Sequence, residues 1–337
     1  METRRATLVD AFTTEPLAGN VAGVVPNADG LAADQMQRLA TELGASETAF
    51  RFTAAGETDT DAAASTPTDR LRYFTPTTEV DLCGHATIAT YASLYADGDI
   101  DAGERTLRTN VGDLTVTVDD DGTVWMRQQP PTVSLLPDAT DDTGSTDADG
   151  SGVTDPDTRE IDAERLGAAL GIDPAALRDV GADLPIAVAS TGLPWLVVPV
   201  NFLERLGEAT PDTAALTAIS EAYDVAGVYA FTFDTLEAES TLHGRAFAPA
   251  VGITEDPVTG TASGAMGGYL QAVEAFDGEF PDELRFEQGH FCDRPGYVRV
   301  RIGDTDEGGV TIGGEGIVSL DGTIRLPAPD DDEIIEA

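Results

Sequence analysis

A short pattern occurs twice in this chain, and the repeat limits the folds that the chain can adopt. The first copy, Arg72-Tyr-Phe74-Thr-Pro76, precedes Gly84-His85-Ala86-Thr87, and the second, Arg245-Ala-Phe247-Ala-Pro249, precedes Gly260-Thr261-Ala262-Ser263. The two copies lie about half of the 337-residue chain apart. Self-similarity at this distance predicts two similar halves that carry the same elements in the same order.

Each copy of the repeat leads into a segment with the pattern of a helix that has no charged face. Gly84–Tyr95 is apolar around most of its circumference, and Gly260–Ala272 is also poor in charge. A helix of this kind must be enclosed on nearly all sides, and the alternating apolar segments around it indicate strands. We therefore expect an α+β fold of two pseudo-symmetric domains, each a mostly antiparallel sheet wrapped around a central helix. We expect the active site in a cleft between them, where the N-termini of the two helices converge.

The local composition predicts the domain limits. Residues 138–159 are rich in Asp, Ser and Gly, and Val153 is their only branched aliphatic residue, which indicates a flexible acidic insertion. We predict an N-terminal domain at 1–128 and a C-terminal domain at 129–320 that contains this insertion. Residues 321–337 are predicted to hold a final strand that can return to the first domain, followed by an acidic tail.

The charge composition restricts the partners of the chain. It has 61 acidic and 19 basic residues, a net charge of −42, and every basic residue is Arg. Such a surface is tolerable where molar salt shortens the Debye length to about 3 Å, so the composition indicates an extreme halophile. The Arg residues are spread from Arg4 to Arg325 without the basic cluster that nucleic acid binding requires. We expect no nucleic acid partner.

Other classes of protein and site lack their sequence signals. The longest apolar run, Leu193–Val200, is shorter than the roughly 20 residues that span a membrane, and the first residues do not resemble a signal peptide, so we expect a cytoplasmic protein. There is no dinucleotide-binding Gly-x-Gly-x-x-Gly, P-loop, His-x-x-x-His or Cys-x-x-Cys motif. Three scattered His and two distant Cys, Cys83 and Cys292, lead us to expect no cofactor, no metal centre and no disulfide.

The start of each central helix is a candidate site for a small carboxylate. A helix N-terminus offers free backbone N–H groups and partial positive charge, and Gly84 and Gly260 would let a ligand approach closely. Each glycine could instead serve helix packing alone. His85 lies in the first turn, and Asp256 lies in the loop before the second helix, although a His is more often structural and an Asp in so acidic a chain is usually solvated. The residues alone give Glu47 no stronger claim.

Several further motifs occur in the order found in the phenazine-biosynthesis PhzF-like isomerases. They are Val9-Asp10-Ala11-Phe12-Thr13, Pro16-Leu-Ala-Gly19-Asn20, Ser46-Glu47-Thr48-Ala49-Phe50, Arg72-Tyr-Phe74-Thr75-Pro76, Cys83-Gly84-His85-Ala86-Thr87, Phe247-Ala-Pro249, Glu255-Asp256-Pro257-Val-Thr259-Gly260, and Gln288-Gly289 before Arg294-Pro295. Together they span the chain from Val9 to about Gly314 and resemble that family closely. The resemblance implies the diaminopimelate epimerase fold, which has two pseudo-symmetric halves.

The resemblance also implies roles for individual residues. The family's catalytic glutamate corresponds to Glu47, its active-site histidine to His85 and its aspartate to Asp256. Thr261 stands where a serine is usual, which keeps the hydroxyl and adds a methyl group. The residues expected to bind substrate are Asn20, Gly84, Ala86, Gly260, Thr261 and Ala262.

The implied reaction is a proton shift within a small substrate that bears a carboxylate, with no metal or organic cofactor. The family's prototype substrate is a dihydro-hydroxyanthranilate. Glu47 would remove a proton from one carbon and return it to another on the same face. The resemblance does not identify the physiological substrate, and it leaves a homodimer open.

Two other functions stay open. Related epimerases use two cysteines on opposite faces of the substrate, and Cys83 lies where one of them would be. The second helix start offers Thr259 and Thr261, and Cys292 belongs to another motif. The chain could also be a non-catalytic binder of small molecules, although the presence of all three implied catalytic residues argues against this.

Overall fold

The computed structural model describes residues 2–53, 66–137, 161–178, 180, 184–303 and 309–328. The chain divides into two compact units, of which the first comprises Met1–Arg127 and Gly313–Ala337 and the second comprises Gln128–Ile312. The predicted acidic insertion at 138–159 and the predicted acidic tail lie outside the described residues. None of the helices within these ranges is long and apolar enough to cross a membrane.

The secondary structure follows the predicted alternation of strands and helices. In chain order the elements are β1 (Thr3–Ala11), β2 (Asn20–Val25), α1 (Ala33–Leu43), β3 (Glu47–Thr53), β4 (Thr68–Phe74), β5 (Glu79–Val80), α2 (Gly84–Ala96), β6 (Gly103–Thr109), β7 (Gly112–Val118), β8 (Val124–Arg127), β9 (Thr132–Leu135), α3 (Ala163–Leu170), α4 (Ala175–Arg178), β10 (Ala187–Ser190), β11 (Pro194–Pro199), α5 (Leu203–Gly207), α6 (Thr213–Tyr223), β12 (Gly227–Thr232), β13 (Leu242–Ala248), β14 (Ile253–Asp256), α7 (Gly260–Ala272), β15 (Leu284–Gln288), β16 (Gly296–Ile302), β17 (Val310–Gly314) and β18 (Gly316–Arg325). Two short 3₁₀ helices, Pro249–Val251 and His290–Cys292, lie between these elements.

The sheet of the first unit curls around α2. Its strands lie in the order β18, β1, β2, β3, β4, β6, β7 and β8. The pairs β2–β3 and β4–β6 are parallel and the others are antiparallel. Helix α2 packs against strands from both ends of this order, β18 and β8, and against β1 and β2 between them. The helix is therefore enclosed, as its apolar circumference predicts.

The polar side chains of α2 find hydrogen bonds close by. Thr87 donates its hydroxyl to the carbonyl of Cys83 at 2.7 Å, and Thr90 donates to the carbonyl of Ala86 at 2.7 Å. The hydroxyl of Tyr73 on β4 lies 2.7 Å from that of Thr87. These bonds explain how the buried part of the helix, Ala86–Leu94, accommodates threonines, because a buried hydroxyl without a partner would be destabilising.

The second unit repeats the topology of the first. Its strands lie in the order β9, β10, β11, β12, β13, β15 and β16, with β11–β12 and β13–β15 parallel. Helix α7 packs against β9, β10, β11 and β16. Strand β10 thus corresponds to β1, β13 to β4 and α7 to α2, and the directions of the strands agree at each step. The predicted fold, two pseudo-symmetric halves with a sheet around a central helix, is confirmed.

Glycines allow α7 to approach its sheet closely. A Cβ atom at Gly268 would lie 2.3 Å from Cβ of Pro131, and one at Gly264 would lie 1.8 Å from Oε1 of Gln128. Both distances are too short for real contacts, so a side chain at Gly268 would clash with the proline ring, and one at Gly264 would displace the Gln128 amide. Each glycine weakens the helix by about 1 kcal/mol relative to Ala, and we attribute their presence here to this close packing.

The sequence repeat has a common structural role in the two units. Arg72 at the end of β4 forms a bidentate ion pair with Glu79 of β5, with distances of 2.8 and 2.6 Å. Arg245 on β13 forms the same pair with Glu255 of β14, with two distances of 2.9 Å. Each guanidinium also lies over the ring of the phenylalanine two residues later in the chain, at 5.2 Å and 4.9 Å. The repeated Arg-x-Phe motif therefore fixes the strand that leads toward the central helix.

The other helices cover the opposite face of each sheet. In the first unit, Met36 and Leu39 of α1 pack with Phe50 and Phe74 in one buried cluster. In the second unit, side chains of α3 and α6 pack with Leu196 and Val228 in another. Helices α1 and α6 each precede the second strand of a parallel pair, β2–β3 or β11–β12. Each unit is thus layered as outer helices, sheet and central helix.

The final strand belongs to the first unit. The predicted limit at residue 320 placed Gly316–Leu320 in the second domain, but β18 pairs with β1 along its whole length, from Arg325 to Gly316. Arg5 of β1 adds ion pairs to Asp321 of β18 and to Asp97 after α2. The first unit includes the chain from Gly313 onward, and backbone pairing with the N-terminal strand β1 begins at Gly316.

Candidate active site

The first unit brings three ionisable side chains together at the N-terminus of α2. Glu47 is the first residue of β3, Cys83 is the N-cap of α2, and His85 is the second residue of that helix. Strand β3 runs parallel to β2 with Glu47 opposite Ala22. The topology therefore places the start of a strand beside the start of the enclosed helix.

His85 lies at the centre of this group. Its Nε2 atom is 3.3 Å from Oε2 of Glu47 and 3.3 Å from Oγ of Ser46. Its Nδ1 atom is 3.4 Å from Sγ of Cys83. The side chains of His85 and Glu47 are 12% and 17% exposed, so both are shielded and still reachable. An imidazole between a carboxylate and a thiol can orient the carboxylate and share a proton with it.

The first turn of α2 offers backbone donors next to this group. The first hydrogen bond within the helix runs from the N–H of Thr87 to the carbonyl of Cys83 at 3.1 Å, and the Cys83 side chain caps no backbone group of the helix. The N–H groups of Gly84, His85 and Ala86 precede that bond and are the donors a helix leaves for an anion. A Cβ atom at Gly84 would meet only Cε of Met126, at 3.7 Å. Packing does not require a glycine at this position.

The second unit holds Asp256 in a defined orientation at the start of α7. Asp256 ends β14, and its Oδ2 atom accepts a hydrogen bond of 2.6 Å from the hydroxyl of Thr259, the N-cap of α7. The amide of Gln288 donates to the Asp256 carbonyl at 2.6 Å, and its oxygen accepts from the N–H of Thr259 at 3.2 Å. Gln288 thus fixes the loop that carries Asp256. The Gln288-Gly289 motif was the sequence signal for this residue.

The hydroxyl of Thr261 is also held. Its Oγ1 atom accepts a hydrogen bond of 3.2 Å from the indole N–H of Trp195 on β11. Gly260 and Ala262 flank it and are buried. Sequence reasoning did not identify Trp195, because only the packing of α7 against β11 brings the two residues together.

The other predicted binding residue in the first unit, Asn20, is buried at the start of β2, opposite Ala11 of β1. The loop before it is shaped by Asp10, whose carboxylate accepts a hydrogen bond of 2.7 Å from the N–H of Leu17. Leu17 has a positive φ of 67°, which this bond helps to hold. Ala86 is fully buried, whereas Gly84 and His85 before it are partly exposed.

Comparison with known proteins places the chain in a family. Residues 9–322 match the family of phenazine biosynthesis-like proteins, PhzC-PhzF. The chain belongs to this family. An uncharacterized isomerase of Clostridium acetobutylicum is 33% identical over 87% of this chain and 88% of its own length. An uncharacterized isomerase of Bacillus subtilis is 32% identical over 93% of both chains.

A solved structure supports the same assignment. The crystal structure of the Bacillus anthracis phenazine biosynthesis protein of the PhzF family is 30% identical and superimposes with a TM-score of 0.78, covering 96% of this chain and 100% of that one. The resemblance that the sequence motifs indicated is confirmed. The chain is an isomerase of the phenazine biosynthesis-like family.

One group of side chains in this PhzC-PhzF family member has the composition of a metal site. Among the described residues, Glu47, Cys83 and His85 offer a carboxylate, a thiol and an imidazole whose ligand atoms all lie within 4.8 Å of one another. The sequence spacing of His and Cys led us to expect no such group. The fold assembles it because β3 and the start of α2 are neighbours.

Proposed function

We propose that this protein is a cofactor-independent isomerase that moves a proton within a small carboxylate-bearing substrate, with Glu47 as the single acid and base. The observation that carries the proposal is the pairing of Glu47 with His85, at 3.3 Å, beside the first turn of α2. A base must be reachable and held in place, and Glu47 meets both conditions.

The proton transfer needs only the carboxylate and a conjugated substrate. The ionised carboxylate of Glu47 takes a proton from one carbon, so that a C–H bond breaks, an O–H bond forms, and the electron pair enters the substrate's conjugated system. The same O–H group then returns the proton to a second carbon on the same face. His85 positions the carboxylate throughout by its contact with Oε2.

The substrate's carboxylate would bind to the backbone N–H groups of Gly84 and His85, which are partly exposed. Partial positive charge at the helix start favours an anion there. The open space at Gly84 supports this role, since a ligand can approach the backbone closely.

We propose that Asp256 of the second unit orients the same substrate. Its carboxylate is held by Thr259, and the loop that carries it is held by Gln288, so it would present a fixed acceptor to a substrate N–H or O–H group. That both units contribute to one site remains a prediction from the sequence.

The alternative of a two-thiol epimerase is disfavoured by the repeat. Cys83 is the N-cap of α2, and the corresponding N-cap of α7 is Thr259. A threonine hydroxyl ionises far less readily than a thiol, so the second unit lacks the partner that such a mechanism requires.

The test is the replacement Glu47→Gln, which keeps the size of the side chain and removes the base. Turnover of a dihydro-hydroxyanthranilate analogue, and deuterium incorporation from heavy water, should fall by about 10²–10⁴-fold. The matched control is Glu42→Gln at an exposed position on α1, which should exchange label at the wild-type rate.

A Glu47→Gln variant that isomerises and exchanges as fast as wild type would contradict the assignment. His85→Gln and Asp256→Asn, measured in parallel, would then show whether the base lies at either position. A wild-type protein that binds the analogue without exchange would instead support the non-catalytic binder.

A further inference from the structure

The group at the start of α2 combines three kinds of metal ligand in a small volume. The Cys83 side chain is buried, and those of Glu47 and His85 are largely shielded. Thiolate, imidazole and carboxylate are the ligands that proteins use for Zn²⁺, whereas Mg²⁺ and Ca²⁺ prefer oxygen ligands alone. The choice of ligands therefore distinguishes this group from the many acidic side chains elsewhere on the chain.

The distances fit one tetrahedral ion with Nε2 of His85 as a shared ligand. Zinc bonds of typical length place sulfur and nitrogen ligands about 3.6 Å apart, and nitrogen and oxygen ligands about 3.4 Å apart. In the structure Nε2 lies 3.9 Å from Sγ of Cys83 and 3.3 Å from Oε2 of Glu47. Relative to Nε2, the sulfur has to move by only a few tenths of an ångström. Sγ and the Glu47 oxygen lie within 4.8 Å of each other, against about 3.6 Å in such a site. Three protein ligands leave the fourth position open.

The charges also balance. A metal ion displaces the thiol proton to solvent as the metal–sulfur bond forms, so that one thiolate, one carboxylate and a neutral imidazole surround a doubly charged cation. The helix N-terminus disfavours a cation on its own but favours the thiolate that binds it. The backbone is already in place, since Cys83 and His85 lie in one helix start and Glu47 begins the neighbouring strand.

We propose that Glu47, Cys83 and His85 form a binding site for a thiophilic divalent cation of the Zn²⁺ class. The effect of this metal site on catalysis rests on the proposed function. A metal ion bound to the Glu47 carboxylate prevents that carboxylate from accepting a proton, so proton transfer stops. The reactive carboxylate would thus be blocked reversibly by such a cation and released by a chelator.

Cobalt(II) is the probe that tests the site, because its spectrum reports both thiolate coordination and tetrahedral geometry. The metal-free, reduced full-length chain in molar KCl should bind one Co²⁺ with a thiolate charge-transfer band and intense visible bands, and Zn²⁺ should bleach both. Cys83→Ser should abolish the charge-transfer band, and Glu47→Gln should weaken binding at least tenfold. The matched control is Cys292→Ser, which should leave the spectrum unchanged because Cys292 lies in a different motif.

A titration without a thiolate band, or a band that survives in Cys83→Ser and disappears in Cys292→Ser, overturns the proposal. Circular dichroism melting curves establish that each variant folds. If Cys83→Ser does not fold, loss of the tetrahedral bands in His85→Gln tests the same site.

Inhibition of label exchange separates this inference from the proposed function. For each protein, the measured quantity is the Zn²⁺ concentration that halves its own metal-free rate of label exchange. This concentration should be at least tenfold higher for Cys83→Ser than for wild type. If Co²⁺ and Zn²⁺ bind with the expected spectra but exchange continues, the metal site stands and the catalytic role of Glu47 fails. If no metal binds, the role of Glu47 is unaffected.

Discussion

Two residues at equivalent positions of the repeat, Cys83 and Thr259, differ in the chemistry they can perform. Each is the N-cap of an enclosed helix, and neither side chain caps its helix. Cys83 contacts His85, whereas Thr259 donates to Asp256 and accepts a hydrogen bond from Gln288. The thiol thus belongs to an ionisable group, and the hydroxyl belongs to a network that holds a loop.

We predict that Cys83→Ser lowers turnover by no more than about tenfold, which is roughly 1.4 kcal/mol in the barrier. The reason is that the proposed mechanism moves the proton through Glu47, and Cys83 only touches the histidine beside it. The measurement is steady-state turnover with the same analogue used for Glu47→Gln. A loss of several thousandfold would favour a thiol-based epimerase.

A second buried pair, His243 and Glu287, lies in the second unit. Both side chains are inaccessible to solvent, and Nδ1 of His243 lies 2.8 Å from Oε1 of Glu287. Within the described residues Nε2 of His243 has no hydrogen-bond partner, so Nδ1 is the ring nitrogen that we assign as the donor to the carboxylate. The backbone N–H groups of Leu236 and Glu237 donate to the same carboxylate, at 2.6 and 3.1 Å.

Because of these hydrogen-bond donors, Glu287 makes the stability of the fold sensitive to acid. Burial alone raises the pKa of its carboxyl, but the hydrogen bonds outweigh it and lower the pKa from 4.5 to about 2. Because the folded-state pKa lies below the unfolded-state value, the ionised carboxylate stabilises the fold above about pH 4.5. This contribution, roughly 3 kcal/mol, is lost as the pH falls toward about 2.

We predict that the free energy of unfolding of Glu287→Gln falls less steeply than that of wild type between about pH 5 and pH 2. Urea unfolding at constant high salt measures the difference. The control Glu279→Gln removes an exposed carboxyl and should follow the wild-type curve. Parallel curves for Glu287→Gln and wild type would refute the role of this carboxylate.

At the scale of elements, the two copies of the Arg-x-Phe motif differ in burial. The Arg245 side chain is 6% exposed and also donates to the carbonyls of Leu206 and Ala209, at 2.9 and 3.2 Å. The Arg72 side chain is 21% exposed. The same ion pair therefore joins two strands near the surface in one unit and anchors α5 as well as β14 in the other.

We predict that Arg245→Met destabilises the fold by about 3–5 kcal/mol, because it leaves Glu255 and the backbone carbonyls that Arg245 binds without their donor. Arg72→Met, the matched control, should cost only about 1 kcal/mol, since its pair is partly solvated. Adding Glu255→Gln to Arg245→Met should recover part of the loss. Equal effects of the two arginine replacements would contradict the argument.

The sequence predicts the central helices best because their signal does not depend on tertiary context. Helix α7 begins at Gly260 and ends at Ala272 as predicted, and α2 extends one residue past the predicted Tyr95. Short elements such as β5 and α4 show no periodicity long enough to detect. The pairing of β18 with β1 joins the two ends of the chain, and strand pairing over that distance leaves no local signal in the sequence.

The sequence predicts the candidate site less completely. The family resemblance singled out Glu47, His85 and Asp256. It gave no indication that Cys83 contacts His85. The Cys83-Gly84-His85 spacing is the signal that could have shown it, since an N-cap residue and the second helical residue lie close together. Trp195 and Gln288 are distant in sequence from the residues they hold. The Gln288-Gly289 motif drew attention to Gln288, but only the fold reveals the contacts of either side chain.

At the scale of the whole molecule, the feature that matters for the solvent is how the acidic residues are divided between the interior and the surface. Asp10, Asp69 and Glu287 are the buried acidic residues in the described part of the chain. Each accepts hydrogen bonds, and Asp69 pairs with both Arg51 and Arg105 at 2.8 and 2.9 Å. Every other described acidic residue is at least partly exposed. The negative charge of the described residues is therefore carried almost entirely by the surface.

We predict that the fold requires high salt. Mutual repulsion of surface carboxylates extends over about 10 Å in 0.1 M salt and about 3 Å in 1 M salt, so dilution brings many of them into range of one another. The midpoint of thermal unfolding should rise between about 0.1 M and 3 M KCl, with most of the rise below about 1 M. Each kcal/mol gained moves the midpoint by about 2–4 °C for units of this size.

A control with sucrose separates screening from general stabilisation. Sucrose favours the folded state by exclusion from the protein surface and does not screen charge. At about 0.1 M KCl it should restore only a minor part of the stability that salt provides. If sucrose replaces salt fully, or if the melting curve is the same across the KCl series, repulsion between surface carboxylates does not limit the fold. A rise confined to the lowest salt concentrations is the signature of screening, since the Debye length changes most there.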